Sequence, residues 1–380
     1  MKRGPALLLP TTDLNRLRAR VVALAEPRPA VYRMLDPLGR TIYVGKAKRL
    51  RTRLLSYFRA RYPEDKAGRI LQATRDIQWE YVPSEFAAYL GELRQIQRRR
   101  PPFNLRMNRA RRAVFIEVTP GPAPKLSTGR QDGPGPGRCY GPYASAARVA
   151  DAIRVLNDLL GLRDCSERMP MVFPGQTDLF DTARPAACLR HGFGLCSGPC
   201  AGLVAAADYD RRVEAAVAFL EARGIQPLDR IVAEMTAAAE AQEFERAAKW
   251  RERFERLEWL LAATSRARLA IEGLTFVYRD PGLLGDDRAY LIRHGVVRAS
   301  YPYPTTPIER AAFRAAVVED LSRPATTGGL ASQHLDEILL VMAWFRKHPE
   351  AFRRTSRLQD WAEGQDASPP LSNLPGSVPS

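Results

Sequence analysis

The period of the hydrophobic pattern changes several times along the chain. Between residues 30 and 45, Val31, Arg33 and Leu35 alternate with Tyr32 and Met34, and Asp36-Pro37-Leu38-Gly39 turns the chain into Thr41-Ile42-Tyr43-Val44, which predicts a β-hairpin. Leu50, Leu54, Tyr57 and Phe58 then recur at helical spacing, leaving Arg49 and Arg53 on an adjacent face. Ile77, Trp79 and Tyr81 alternate with Gln78 and Glu80 and predict a third strand over 76–82. Ser84 suits the cap of a helix from Glu85 to Arg100, which Pro101-Pro102 stops. Residues 119–137 are rich in Pro and Gly and read as loop, before helical spacing returns over 145–161. From 208 to 262 only Gly224 and Pro227 interrupt helical sequence, which predicts a helix and then a helical hairpin. Strand patterns at 270–278 and 289–301, the latter hinged at His294-Gly295, precede helices around 308–321 and 332–346. The Ser/Pro/Gly-rich tail from about 362 reads as disordered.

Composition narrows the class. A chain of 380 residues suits two or three modest domains. A formal net charge of +16 makes nucleic acid the leading partner, because such a field attracts polyanions and supports binding by counterion release. Only seven of the 58 basic residues are lysine, so a generally arginine-rich composition accounts for part of that charge. No apolar run approaches the roughly 18 residues that span a bilayer. Ala6-Leu7-Leu8-Leu9 ends at Pro10, too short for a signal segment, so the expectation is a cytoplasmic protein with no membrane partner. Four of the five cysteines crowd between 165 and 200, which fits metal-binding thiolates better than a disulfide framework.

Cleaving a phosphodiester requires an activated water, a cation over the developing charge, and donors that hold the phosphate. Residues 30–104 contain suitable groups. Tyr32 and Tyr43 lie on the two arms of the hairpin, Lys46 follows at the strand end, and Arg53 and Tyr57 share a helix face four residues apart. Glu92 borders the apolar stripe of Phe86, Leu90, Leu93 and Ile96, which aims its carboxylate at the sheet. Taken singly, the tyrosines read as strand aromatics and Glu92 as a solvated carboxylate.

Ala30-Val31-Tyr32, Tyr43-Val44-Gly45-Lys46-Ala47-Lys48, Arg53, Ser56-Tyr57-Phe58, Glu92 and Asn104 together resemble the GIY-YIG nuclease domain, in the version found at the amino end of the excinuclease subunit UvrC. The resemblance implies an α+β fold, a small antiparallel sheet flanked by helices over 28–118, and metal-dependent endonuclease activity on DNA. It implies Tyr43 as general base, often through a water, and Glu92 as ligand of one Mg²⁺ or Mn²⁺. Arg53 and Lys46 become phosphate contacts, and Tyr32, Tyr57 and Asn104 supporting site residues. Ala30 stands where the motif has its first glycine and adds a Cβ there. Arg94, Arg98, Arg99, Arg100, Arg106, Arg109, Arg111 and Arg112 run without an intervening acid. With Lys48 they read either as a solvated face or as a track for the DNA backbone.

Cys165, Cys188, Cys196 and Cys200 are separated by 22, 7 and 3 residues. Four thiolates in one loop suit a [4Fe–4S] cluster or Zn²⁺. The run from Cys188 to Cys200, and Tyr140-Gly141-Pro142-Tyr143 before it, again resemble UvrC, which implies an iron–sulfur cluster on the quartet within a segment 139–206, with zinc as the alternative. Cys139 reads as a packing residue and His191 as a surface or packing residue.

Within the helical region 208–262, residues 231–261 carry Ala238-Ala239-Glu240, Glu243-Phe244-Glu245, Ala247-Ala248 and Arg251. These resemble the UVR motif, a helical hairpin through which UvrC meets UvrB. The expectation is a pair that buries Phe244 and Leu257 and offers a partner-binding face at Phe244, although the Ala-rich pattern also suits an intramolecular bundle. Beyond about residue 265 the resemblance fades into a small α+β region, 268–350, and a tail, 362–380. The remaining 115 or so residues are too few for the ribonuclease H-type and helix-hairpin-helix half of UvrC, and Asp280, Asp286 and Asp287 read as solvated loop acids. The expected activity is a single metal-dependent incision, 3′ to a lesion, in DNA loaded by a UvrB-like partner, as implied for the shorter homologue Cho. The alternative is a catalytically weak DNA- and UvrB-binding protein that modulates excision repair.

Overall fold

The computed structural model describes residues 14–105, 114–129, 138–174, 188–323, 330–331 and 334–365. Contacts divide the chain into two units, one holding the residues up to 111 with 274–323 and 336–374, the other holding 112–273 with 324–335 and 375–380.

The first unit opens with α1 (Leu14–Leu24), the hairpin β1 (Ala30–Leu35) and β2 (Thr41–Ala47), α2 (Leu50–Tyr57), α3 (Lys66–Gln72), β3 (Asp76–Tyr81), α4 (Glu85–Arg99) and the short α5 (Pro102–Leu105). The sheet is antiparallel in the order β2-β1-β3. Tyr32 and Met34 of the central strand pack with Val21, Leu50, Leu54 and Ile70, while Val31 and Val44 meet Ala88 of α4 on the opposite face. Both faces of β1 are covered, so its sequence alternates only weakly between apolar and polar. Ser84 caps α4 as expected, its Oγ accepting from the Ala87 N–H at 3.0 Å.

The second unit contains β4 (Val114–Val118), β5 (Leu126–Gly129), β6 (Arg138–Tyr143), α6 (Ala146–Leu160), the single turn α7 (Leu189–Gly192), α8 (Ala206–Leu220), α9 (Gln226–Glu240) and α10 (Phe244–Glu272). Its core gathers Ile116, Leu156, Phe219, Leu257 and Leu260. Three sequence expectations are corrected here. Residues 126–129, expected as loop, form β5, because Leu126 opposite Val118 gives a four-residue strand the one buried anchor it needs. Helix α10 runs to Glu272, where a strand was expected from 270, since Ile271 continues the buried face of the helix. Phe244 is 73% exposed while Leu257 is fully buried. Phe244 opens α10 directly after the turn, and later turns of that helix carry its buried residues.

The first unit resumes with β7 (Phe276–Asp280), β8 (Arg288–Arg293), β9 (Val296–Pro302) and α11 (Pro307–Ser322). The two-residue strand β10 (Leu330–Ala331) belongs to the second unit, completing the sheet β10-β6-β4-β5. After it come α12 (Leu335–Lys347), the short α13 (Pro349–Phe352), β11 (Thr355–Ser356) and α14 (Leu358–Glu363). The strands form a sheet β11-β7-β8-β9, richer than the strand pattern led one to expect. His294 and Gly295 both take positive φ, 51° and 74°, in the β8–β9 turn, matching the twist of a two-residue hairpin.

One face of this sheet packs Val277 and Leu291 against Phe313, Val317 and Leu358. The other packs Phe276, Tyr278 and Tyr290 against Val341 and Phe345 of α12 and against Phe86 and Leu90 of α4. The region expected as a separate module thus shares a core with the amino-terminal domain. Asp280, expected as a solvated loop acid, is 3% exposed and accepts hydrogen bonds from Ser84 Oγ and from the Tyr278 hydroxyl. Burial pushes its carboxyl up to about 6. Asp287 is held by Arg279 at 2.9 Å, and Asp286 is exposed. Residues 362 and 363, expected in the loose tail, close α14; residues 366–380 lie outside the described ones. Among the described residues no helix is long and apolar enough to cross a membrane.

Candidate active site

Antiparallel pairing sets Tyr32 opposite Gly45 and Met34 opposite Tyr43, so both tyrosines project on the same side of the sheet as α2, which supplies Tyr57. The three rings form a triangle with centroids 6.1–6.2 Å apart. The Tyr32 and Tyr57 hydroxyls share a 2.8 Å hydrogen bond, and Arg53 Nε donates to the Tyr32 hydroxyl at 3.3 Å. Burial pushes the Tyr32 and Tyr57 phenols well above their ordinary range, so both stay protonated. At 0% and 2% exposure they stand behind Tyr43, which lines an open cleft. Tyr43, itself 6% exposed, is the one of the three that lines the cleft.

The cleft, about 420 Å³, also takes in Glu92, Tyr89 and Asn104. Burial raises the Glu92 carboxyl, against the pull of Lys46, whose backbone N–H donates to it, and of Arg53. Lys46 Nζ sits 3.4 Å from the centroid of the Tyr89 ring, a cation–π contact that fixes the ammonium beside the cleft. Sequence reasoning missed Tyr89, although its position three residues before Glu92 places both on one helix face.

Asn104 does not reach out toward a ligand. Its Oδ1 accepts from the Val44 N–H at 2.8 Å and its Nδ2 donates to the Val44 carbonyl at 2.9 Å. The amide thereby stands in for a neighbouring strand on the open edge of β2, and without it two buried backbone groups next to Tyr43 would lose partners at about 1–3 kcal/mol each. Ala30 is fully buried in the core shared by Tyr32 and Tyr43, so its methyl group is accommodated.

The proposed backbone track is less gathered. Arg98, Arg99 and Arg100 are exposed at the end of α4, where Arg100 takes φ 45° as the helix cap. Lys48 pairs with Glu85 at 3.5 Å, and Arg94 is engaged by Glu337 at 3.3 Å. Arg106, Arg109, Arg111 and Arg112 lie outside the described residues. Among the described residues no three His, Cys, Asp or Glu side chains form a group that could hold a metal ion.

In the second unit, Cys196 is buried, Cys188 exposed, and Cys165 and Cys200 intermediate. Burial raises the Cys196 and Cys200 thiols, and each also feels Cys165 and Cys188, but these cysteines do not come together as a group that could hold a metal ion. His191 Nδ1 is 2.9 Å from the Cys196 carbonyl. Cys139 is fully buried in β6, where burial pushes its thiol up to about 12.

A tyrosine-bearing hairpin with an arginine helix beneath it and a glutamate helix across it defines the GIY-YIG class. Residues 28–105 match the UvrC-like GIY-YIG domain, 113–219 the middle domain of the UvrC/Cho excinucleases, and 226–258 the UvrB/UvrC motif. Over these three segments the chain is similar to UvrC, and its residues 28–105 form a UvrC-like GIY-YIG domain. It is similar to the UvrABC system protein C of Methylococcus capsulatus, 34% identical over 235 residues that make up 62% of this chain and 37% of the relative. The protein of the same name from Lachnospira eligens is 34% identical over 229 residues, 59% of this chain and 36% of the relative. The chain thus spans little more than a third of the length of these relatives. Among solved structures, it resembles the amino-terminal GIY-YIG endonuclease domain of Thermotoga maritima UvrC bound to magnesium, at 34% identity over 23% of this chain and 96% of that one, with a TM-score of 0.21.

Proposed function

We propose that this protein is a metal-dependent DNA endonuclease of nucleotide excision repair that makes one incision, 3′ to a lesion, in DNA presented by a UvrB-like loader. The observation that carries the reading is the convergence of Tyr43 and Glu92 on one cleft, with Lys46 and Arg53 acting on Glu92 and the buried Tyr32 and Tyr57 behind. Glu92 would hold a single Mg²⁺ or Mn²⁺, its other positions left to phosphate and water, which suits an ion that keeps most of its hydration. When bound, that ion supplies Lewis-acid stabilisation of the phosphate charge. Tyr43 takes up the proton of the attacking water as it releases its own phenolic proton to solvent, and Lys46 and Arg53 hold the phosphate. Lys48 and Arg98–Arg100 contact the DNA backbone on either side. Ala30 gives the alternative, a feeble enzyme that only binds DNA and UvrB, no support.

The loader would dock on the α9–α10 hairpin, whose Leu257 is committed to the core while Phe244 stands free. Nicking of a lesion-bearing duplex with Mn²⁺, with and without UvrB, tests the whole reading. Metal-dependent nicking that UvrB stimulates in the wild type but not in Phe244→Ala is the expected result. Absence of nicking under every condition sinks the enzyme assignment, and equal stimulation of the variant sinks the docking site.

Cys165, Cys188, Cys196 and Cys200 would hold a [4Fe–4S] cluster whose role is to brace the loop from 188 to 200. Purification without oxygen is expected to yield a brown protein with about four irons and four sulfides per chain, lost in Cys196→Ser. A colourless protein carrying zinc instead decides for the four-thiolate zinc site.

A further inference from the structure

Helix α12 forms one side of the cleft into which Tyr43 and Glu92 open, contributing Asp336, Leu339 and Leu340. It is a fixed wall. The buried Glu337 accepts from the Val297 N–H at 2.7 Å and from Arg94 Nη2 at 3.3 Å, and the same Arg94 nitrogen donates to the Val297 carbonyl at 3.0 Å. Trp344 packs on Phe86 and on Tyr89 with ring centroids 5.3 and 5.8 Å apart. These contacts lock α12 onto α4, the helix that carries Glu92.

The two ends of the cleft differ in chemistry. Toward the Tyr89–Trp344 contact lie Tyr43 and Glu92, with Lys46 and Arg53 acting on Glu92, and this end suits a phosphate. The other is apolar, lined by Leu93 and Ile96 of α4 and by Leu339 and Leu340 of α12. At its rim stands the exposed Asp336, whose Oδ2 is 3.5 Å from Gln97 Nε2. A phosphate gains nothing from aliphatic side chains and is repelled by a carboxylate. A nucleobase has apolar faces and, except in thymine, an exocyclic amino group on its edge. The volume of about 420 Å³ has the scale of a small-ligand site and does not admit a duplex.

We infer that the apolar end is a nucleobase slot, so that cleavage selects DNA in which a nucleotide next to the scissile phosphate is unpaired and turned out against Leu339, its amino group meeting Asp336. This rests on the nuclease reading above and adds to it the substrate class, locally unpaired DNA, and a task for the carboxyl-terminal region.

The test uses the full chain with Mg²⁺, with and without UvrB, and two duplexes of one sequence, one fully paired and one with a short unpaired tract containing 2-aminopurine at the incision site. Wild type is expected to cut the unpaired duplex at least tenfold faster and to shift the 2-aminopurine emission on binding. Leu339→Trp, which fills the slot, should lose both effects, with circular dichroism confirming its fold. Asp336→Ala, on an exposed position, should cut several-fold more slowly when the unpaired base is adenine or cytosine and unchanged when it is thymine. Equal cutting of the two duplexes by wild type, or an emission shift that survives in Leu339→Trp, overturns the slot. A Leu339-dependent shift without any cutting, with UvrB as well as without it, leaves the slot standing and removes the nuclease reading instead.

Discussion

Glu92→Gln is expected to lower metal-dependent strand cleavage by roughly a thousandfold while leaving DNA affinity within about twofold, because an amide keeps the shape of the side chain but not the charge that holds a cation. The carboxyl of Glu92 is raised by burial, and this gives the prediction a second readout. Between the ordinary carboxylate range and the raised value, the folded metal-free protein keeps a proton that the unfolded chain has lost. Its stability therefore falls as pH rises through that window. Cleavage moves the other way, since it requires the carboxylate. Mg²⁺ binds the ionised form, so it should raise the melting temperature more on the alkaline side of the window than on the acid side. Glu92→Gln should show neither the pH-dependent loss of stability nor the Mg²⁺ response. Thermal melts across pH with and without Mg²⁺ check both, and a Mg²⁺ response retained in the variant would place the ion elsewhere.

Gly45→Ala is expected to destabilise the first unit by about 3 kcal/mol and to cut activity about a hundredfold. A Cβ at residue 45 would lie 2.5 Å from both Cζ and the hydroxyl oxygen of Tyr32. Tyr32 cannot swing aside, because its ring is fully buried and its hydroxyl is bonded to Tyr57. Strand β2 would have to move instead, carrying Tyr43 and Lys46 with it. Denaturant melts and single-turnover cleavage measure the two effects. Wild-type stability for Gly45→Ala would show that the tyrosine triangle is looser than its geometry. Gly39, by contrast, has open space around its missing Cβ and needs glycine only for its φ of 74° in the hairpin turn.

The amino-terminal domain was largely legible from sequence. Its elements are short and punctuated by strong signals, Asp36-Pro37-Leu38-Gly39 at the turn and Ser84 at the cap, and the turn joins strands that pair directly with each other. Legibility failed where a neighbour in space decided the outcome. Leu126 became part of a strand because Val118 lies opposite it. Asp280 looked like one of three loop acids until Ser84, 196 residues away in sequence, became its hydrogen-bond donor. Phe244 resembled a core aromatic by type, yet it lies at the exposed start of its helix. In each case composition and period are local quantities, whereas burial depends on what packs across.

For Tyr43, Arg53 and Glu92 the division is similar. By itself the sequence determined which residues recur in the register of a GIY-YIG motif, because hairpin and helix periods place them on shared faces whatever surrounds them. Only the tertiary structure separated the one tyrosine that lines a cleft from the two held behind it, gave the supporting residue Asn104 its task as a brace for strand β2, and brought α12 from more than 240 residues away to form the far wall of the cleft. The physical reason is that exposure, hydrogen-bond partners and cleft shape arise from long-range packing, and no local pattern encodes which distant surface will arrive.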